Sequence, residues 1–113
     1  YYNYLNFPVT PWRGYGEQRT FDIQQVYESN PADKTMNENN PLLLGMTCAL
    51  WTDYGVTEQM IDQRLFPRIL ALSEQMWSRG NREPFNDFYQ RVKKSQPWLE
   101  SLGFRFGSAL RDE

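Results

Sequence analysis

Two side chains set two positions apart, Trp51 and Asp53, offer the clearest chemistry in this chain. They follow an apolar run, Leu42-Leu43-Leu44-Gly45-Met46-Thr47-Cys48-Ala49-Leu50-Trp51, at a polar tip, Thr52-Asp53-Tyr54-Gly55. An indole can cover the apolar face of a sugar ring, and a carboxylate can accept from two of its hydroxyls. The same pair also reads as a core tryptophan followed by a turn-forming aspartate. Tyr1, Asn3 and Tyr4 carry a similar ambiguity. They are either an aromatic strand end or a set of phenol and amide groups at the same rim. Trp12 and Tyr15 sit in a loop broken by Pro8, Pro11, Gly14 and Gly16, where they face either a ligand or the protein itself. Asp112-Glu113 resembles an acid pair only by composition, and its terminal position argues against a catalytic role.

Other chemistries are excluded by what the chain lacks. It contains no histidine, which removes Ser-His-Asp triads and the usual zinc sites. Its one cysteine, Cys48, has no internal disulfide partner and no imidazole to activate it, so it reads as an inert thiol. No Gly-rich loop has the spacing that cradles a phosphate, and no metal or cofactor is called for. The net charge of −2 and pI near 5.2 give no reason to expect nucleic acid or anionic lipid as a partner. Aromatic content is 16%, yet mean hydropathy is −0.74, and no apolar run approaches the ~20 residues of a membrane span.

The candidate residues need elements to hold them. Tyr1 to Phe7 suits a short strand already under way, which points to a piece of a longer polypeptide. Thr20 is expected to cap a short helix, with Asp22 in its first turn and Ile23, Val26 and Tyr27 on one face; Asn30-Pro31 ends it. Residues 31–41 are polar and Asn-rich and read as a surface loop. The run from Leu42 lacks alternation, as expected of a strand buried on both faces. From Thr57 to about Ser78, the residues Ile61, Leu65, Ile69, Leu72 and Met76 form a helical stripe, with a kink or early break expected at Pro67. Pro84 opens a further helix with Phe85, Phe88, Tyr89 and Val92 on one face. Pro97 is expected to interrupt or restart it, and Gly103 to cap it. Phe104-Arg105-Phe106 reads as a short extended end and 108–113 as a tail. Alternating strands and helices argue for parallel α/β packing, but two strands alone make a poor sheet.

Several segments resemble one family. Leu44 to Tyr54 resembles the "LGxxxxLWxEY" segment of family 20 glycoside hydrolases, the β-N-acetylhexosaminidases. Leu65-Phe66-Pro67-Arg68 through Glu74-Gln75-Met76-Trp77-Ser78 resembles that family's "LxPRxxALAExxWS" helix. Tyr1-Tyr2-Asn3-Tyr4 is similar to its "YxDY" strand, and Val26 to Pro31 to its "VYxxxP" segment. The stretch from Phe88, ending Leu99-Glu100-Ser101-Leu102-Gly103-Phe104, resembles its closing "RLxxLGxxY" helix. The matches cover most of the chain in the right order.

The resemblance implies an α/β fold in which residues 1–107 are the C-terminal quarter of a (β/α)8 TIM barrel, about its last two βα units. That is not a complete domain, since a full barrel takes about 250 residues. It implies a retaining exo-hydrolase of terminal β-linked GlcNAc or GalNAc, with the substrate's acetamido oxygen as nucleophile. The family's catalytic Asp-Glu pair would lie upstream of Tyr1, so the isolated chain is expected to be inactive. Trp51 would line the acetamido pocket, and Asp53 would stand for a Glu that accepts sugar hydroxyls. Tyr1 would donate to the acetamido oxygen, Asn3 would replace a hydroxyl-binding Asp, and Trp12 would be a loop aromatic at the pocket wall. The two departures, Asp53 and Asn3, put the preferred sugar in question and not the reaction. Implied partners are N-acetylhexosamine glycans and the rest of the barrel, in the same or a companion chain. The resemblance favours an extracellular or periplasmic location. The alternatives are a non-catalytic carbohydrate-binding module and a structural fragment that folds against a partner chain.

Overall fold

A computed structural model of the protein describes residues 8–9, 20–29, 44–45, 47–51, 55–77 and 83–110. Its regular elements are four helices: α1 (Ile23–Glu28), α2 (Glu58–Leu65), α3 (Arg68–Trp77) and α4 (Phe85–Ser101).

The start of α1 differs from expectation. Asp22, not Thr20, holds the cap: its carboxylate accepts from the Gln25 N–H at 2.9 Å, and the Gln25 side chain accepts from the Asp22 N–H at 2.9 Å. This reciprocal pair satisfies two backbone donors at once, which a threonine two residues earlier cannot reach. Ile23, Val26 and Tyr27 are buried on one face, as their spacing predicts. At six residues, α1 is too short to persist alone, so packing must hold it.

The long stripe from Thr57 is broken at Pro67, as expected, into α2 and α3; the Phe66–Pro67 peptide bond is cis. The buried positions of α3 are Arg68, Ala71, Leu72 and Gln75, a row at helical spacing. Ala71 is fully buried in the core with Ile23, Val26 and Tyr27, where its small side chain allows α1 to approach. By contrast, α2 buries only Arg64. Phe88, Tyr89 and Val92 of α4 complete the core, with Tyr27 stacked on Phe88 at 4.4 Å between ring centroids.

Pro97 does not interrupt α4, which runs through it to Ser101. The proline removes one amide donor from the helix, but Pro97 and Lys93, whose carbonyl would have accepted that bond, are both exposed to water. Gly103 closes α4 as expected, at φ +102°. Its N–H donates to Glu100 O at 3.0 Å and the Phe104 N–H to Leu99 O at 3.3 Å, a Schellman motif. The chain beyond is not a free tail as far as it is described. Gly107 N–H donates to Phe66 O and Ile23 N–H to Ala109 O, each at 3.0 Å, and Ala109 is buried.

The run before Trp51 is the main departure. Among its described residues only Cys48 makes a strand-type bridge. Leu44 is 95% exposed, and Cys48, Ala49 and Leu50 are only half-buried. A strand apolar on both faces needs paired neighbours and a covering layer. The described residues contain no sheet or barrel to supply them. The other expected strand, Tyr1 to Phe7, lies outside the described residues.

Candidate functional site

Trp51 is 52% exposed, so it presents a large aromatic surface instead of filling the core. Gly55, at φ +78°, makes a turn that a side chain would strain, and leads into α2. Thr57 holds the N-cap position of α2 in extended backbone, and Glu58 lies in the first turn. The sulfhydryl of Cys48 is pushed above its ordinary range by burial, opposed by a backbone hydrogen bond, which keeps it in the unreactive thiol form. Asp53, Tyr1, Asn3 and Trp12 lie outside the described residues. Trp51 is therefore the one sequence-predicted site residue with a described position.

Two polar residues that periodicity alone treats as interruptions do most to hold this region together. The fully buried guanidinium of Arg68 donates from Nε to Arg64 O at 2.9 Å and from Nη1 to Phe21 O at 2.8 Å. It therefore ties the end of α2 to the chain entering α1. Burial lowers its pKa to about 9, with the nearby Arg64 charge adding to the shift and Asp22 opposing it. Gln75 donates from Nε2 towards the carbonyls of Val26, Tyr27 and Ser29 at the C-terminal end of α1, where Ser29 Oγ also donates to Val26 O at 2.8 Å. Neither lies on the expected stripe of Ile61, Leu65, Ile69, Leu72 and Met76: the buried row of α3 is 68, 71, 72, 75, and Met76 is 44% exposed. A groove of about 520 Å³ lies between Val9, α2 and Phe106, with Arg64 and Arg68 in its wall; Trp51 does not line it. Among the described residues no cluster of His, Cys, Asp or Glu could hold a metal ion. None of the described helices is long and apolar enough to cross a membrane.

The profile of "Glycosyl hydrolase family 20, catalytic domain" matches residues 1–80. The chain belongs to glycosyl hydrolase family 20. The match includes Trp51 and the α2–α3 break and ends before α4, so the resemblance of residues 88–104 to a closing family helix lies beyond it. Among curated relatives of this family-20 chain, the beta-hexosaminidase of Porphyromonas gingivalis is 28% identical over 80% of the chain and 12% of its own length. The probable beta-hexosaminidase fdl of Drosophila melanogaster is 28% identical over 90% of the chain and 17% of its own length. The crystal structure of the beta-N-acetylhexosaminidase from Bacteroides fragilis superposes with a TM-score of 0.86 at 59% identity, covering 99% of this chain and 23% of that one. The family-20 chain thus spans less than a fifth of these curated relatives and under a quarter of the solved structure.

Proposed function

We propose that this sequence is the C-terminal part of the (β/α)8 barrel of a retaining exo-β-N-acetylhexosaminidase, supplying one wall of the sugar pocket. The observation that carries the reading is the 59% identity, over nearly the whole chain, to a protein titled beta-N-acetylhexosaminidase. Trp51 lines the pocket that receives the acetamido methyl, and its exposed indole suits that task. Asp53 accepts sugar hydroxyls, and Asn3 and Trp12 complete the rim. Tyr1 donates to the acetamido oxygen and stabilises the oxazolinium-like charge that develops when that oxygen attacks the anomeric carbon. The proton transfers belong to an Asp-Glu pair elsewhere in the polypeptide.

The test compares the isolated 113-residue chain with the full-length protein, using an aryl β-N-acetylglucosaminide. The full-length protein turns the substrate over with retention at the anomeric carbon, and the isolated chain does not. Turnover by the isolated chain would refute the division of labour, and an inert full-length protein would refute the enzyme reading.

A further inference from the structure

The groove beside α2 is built from three stretches of chain. Met60, Gln63 and Arg64 stand at helical spacing on α2, and Arg68 follows across the Pro67 break. Pro8-Val9 and residues 106–108, which follow α4, make the rest of the wall. Its volume of about 520 Å³ is within the range of small-ligand sites. The lining is layered by burial. Val9, Arg64 and Arg68 are buried, Met60 and Phe106 are half-buried, and Gln63 and Ser108 are exposed at the rim.

This frame is held by backbone contacts. Phe21 N–H donates to Pro8 O at 3.0 Å, and Phe21 O accepts from the Arg68 guanidinium at 2.8 Å, so one residue holds both Pro8 and Arg68. On the other side the Gly107 N–H donates to Phe66 O at 3.0 Å. A Cβ on Gly107 would stand 3.0 Å from the carbonyl carbon of Gln63 and closer still to its oxygen, so α2 and residue 107 meet backbone to backbone. The charge in the wall has one sign. The Arg64 charge helps to lower the Arg68 pKa, so the fields of the two guanidiniums overlap, and Asp22 only partly offsets the shift. None of the described lining residues is acidic. Asp62, on α2, lies outside the lining, with its Oδ2 3.4 Å from the Arg105 N–H.

A concave wall with buried positive charge favours an anion. A bare sulfate or acetate is far smaller than the groove, so the anion needs a body. Met60 and Phe106 offer apolar surface to the C–H face of a ring, and the Gln63 amide and Ser108 hydroxyl offer hydrogen bonds to ring hydroxyls. A sugar ring has both features. We propose that the groove binds a pyranose bearing an anionic substituent, a carboxylate or a sulfate, with the charge towards Arg64 and Arg68 and the ring between Met60 and Phe106. The proposal stands on the groove and is read from binding, so it fails or holds separately from the hydrolase reading.

The test is titration calorimetry of the full-length protein with methyl β-D-glucuronide, glucose 6-sulfate and, as a neutral control, methyl β-D-glucoside. At least one anionic sugar binds with a Kd on the order of 1 mM or tighter, about tenfold better than the glucoside. The tighter of the two tells carboxylate from sulfate. Gln63→Glu sets a carboxylate at the exposed rim and weakens the anionic sugar about three- to tenfold without weakening the glucoside. Arg64→Met weakens the anionic sugar by more than about tenfold. Equal binding of charged and neutral sugars overturns the proposal, as does anionic binding that ignores both substitutions. Absence of saturable binding by either anionic sugar overturns it too, whether because the rest of the polypeptide fills the groove or because the groove does not recognise the charge. If Arg64→Met does not fold, Ser108→Glu takes its place as a second rim carboxylate and must weaken the anionic sugar as Gln63→Glu does.

Discussion

Gln75 marks the limit of what single residues reveal in this sequence. Trp51 was legible as a candidate only: an indole at the end of an apolar run, two residues from a carboxylate, reads either as core or as a ligand wall, and it is 52% exposed. Gln75 and Arg68 were not: both lie off the apolar stripe of Ile61, Leu65, Ile69, Leu72 and Met76, and their purpose depends on carbonyls 46 to 49 residues away in sequence. The Gln75 amide donates towards the carbonyls at the C-terminal end of α1, so its loss removes a buried donor from that end. Gln75→Leu keeps the volume and removes the donor; it should destabilise the full-length protein by roughly 1–3 kcal/mol, read from thermal or denaturant unfolding. Gln75→Glu should be worse at neutral pH, since a carboxylate would face carbonyl oxygens. That environment raises the folded-state pKa above the unfolded value of about 4.3. The folded state then binds the extra proton, so Q75E should regain stability as pH falls through the raised pKa and lose it as pH rises. Equal stability of Q75L and wild type would show that these carbonyls are satisfied without Gln75.

At the scale of elements, the sequence was clearest where a proline or glycine meets a periodic stripe. The break at Pro67, the buried face of α1 and the Gly103 cap all follow from local rules. Pro97 shows where such a rule is overridden. Proline opposes helix locally, but the buried turns of α4 at Phe88, Tyr89 and Val92 commit the helix before Pro97 is reached. The missing hydrogen bond then falls on a solvated face, and the helix continues at a cost. Pro97→Ala should therefore raise stability by roughly 1–2 kcal/mol, the helical gain being reduced by the greater freedom of the unfolded chain. The measurement is the thermal midpoint of the full-length protein, compared with wild type. A lower midpoint would mean that the Pro97 ring packs against another part of the protein and contributes more there than it costs in α4.

At the scale of the molecule, the sequence indicated a strand buried on both faces, and the described residues of that stretch are only partly covered, Leu44 being exposed and Cys48 to Leu50 half-buried. The reason is non-local. Leu44 is 95% exposed, and a sheet neighbour far away in sequence leaves no trace in a local pattern. The same holds for Trp77 and Trp98, which are 86% and 64% exposed at the ends of α3 and α4. The chain spans 23% of the Bacteroides fragilis structure, so a longer polypeptide of that kind has ample chain to cover such surfaces. Exposed aromatic area of this extent is rare on independent domains and leads to association when nothing covers it. The isolated chain should therefore bind an apolar fluorescent dye strongly and self-associate in sedimentation, while the full-length protein does neither. The two measurements together separate the readings. A dye-silent, monomeric isolated chain would mean that these aromatics need no barrel around them, and would favour an autonomous carbohydrate-binding module. Strong dye binding that disappears in the full-length protein would mean that the rest of the polypeptide lies against exposed side chains such as Leu44, Trp77 or Trp98, as a barrel closed by this segment would.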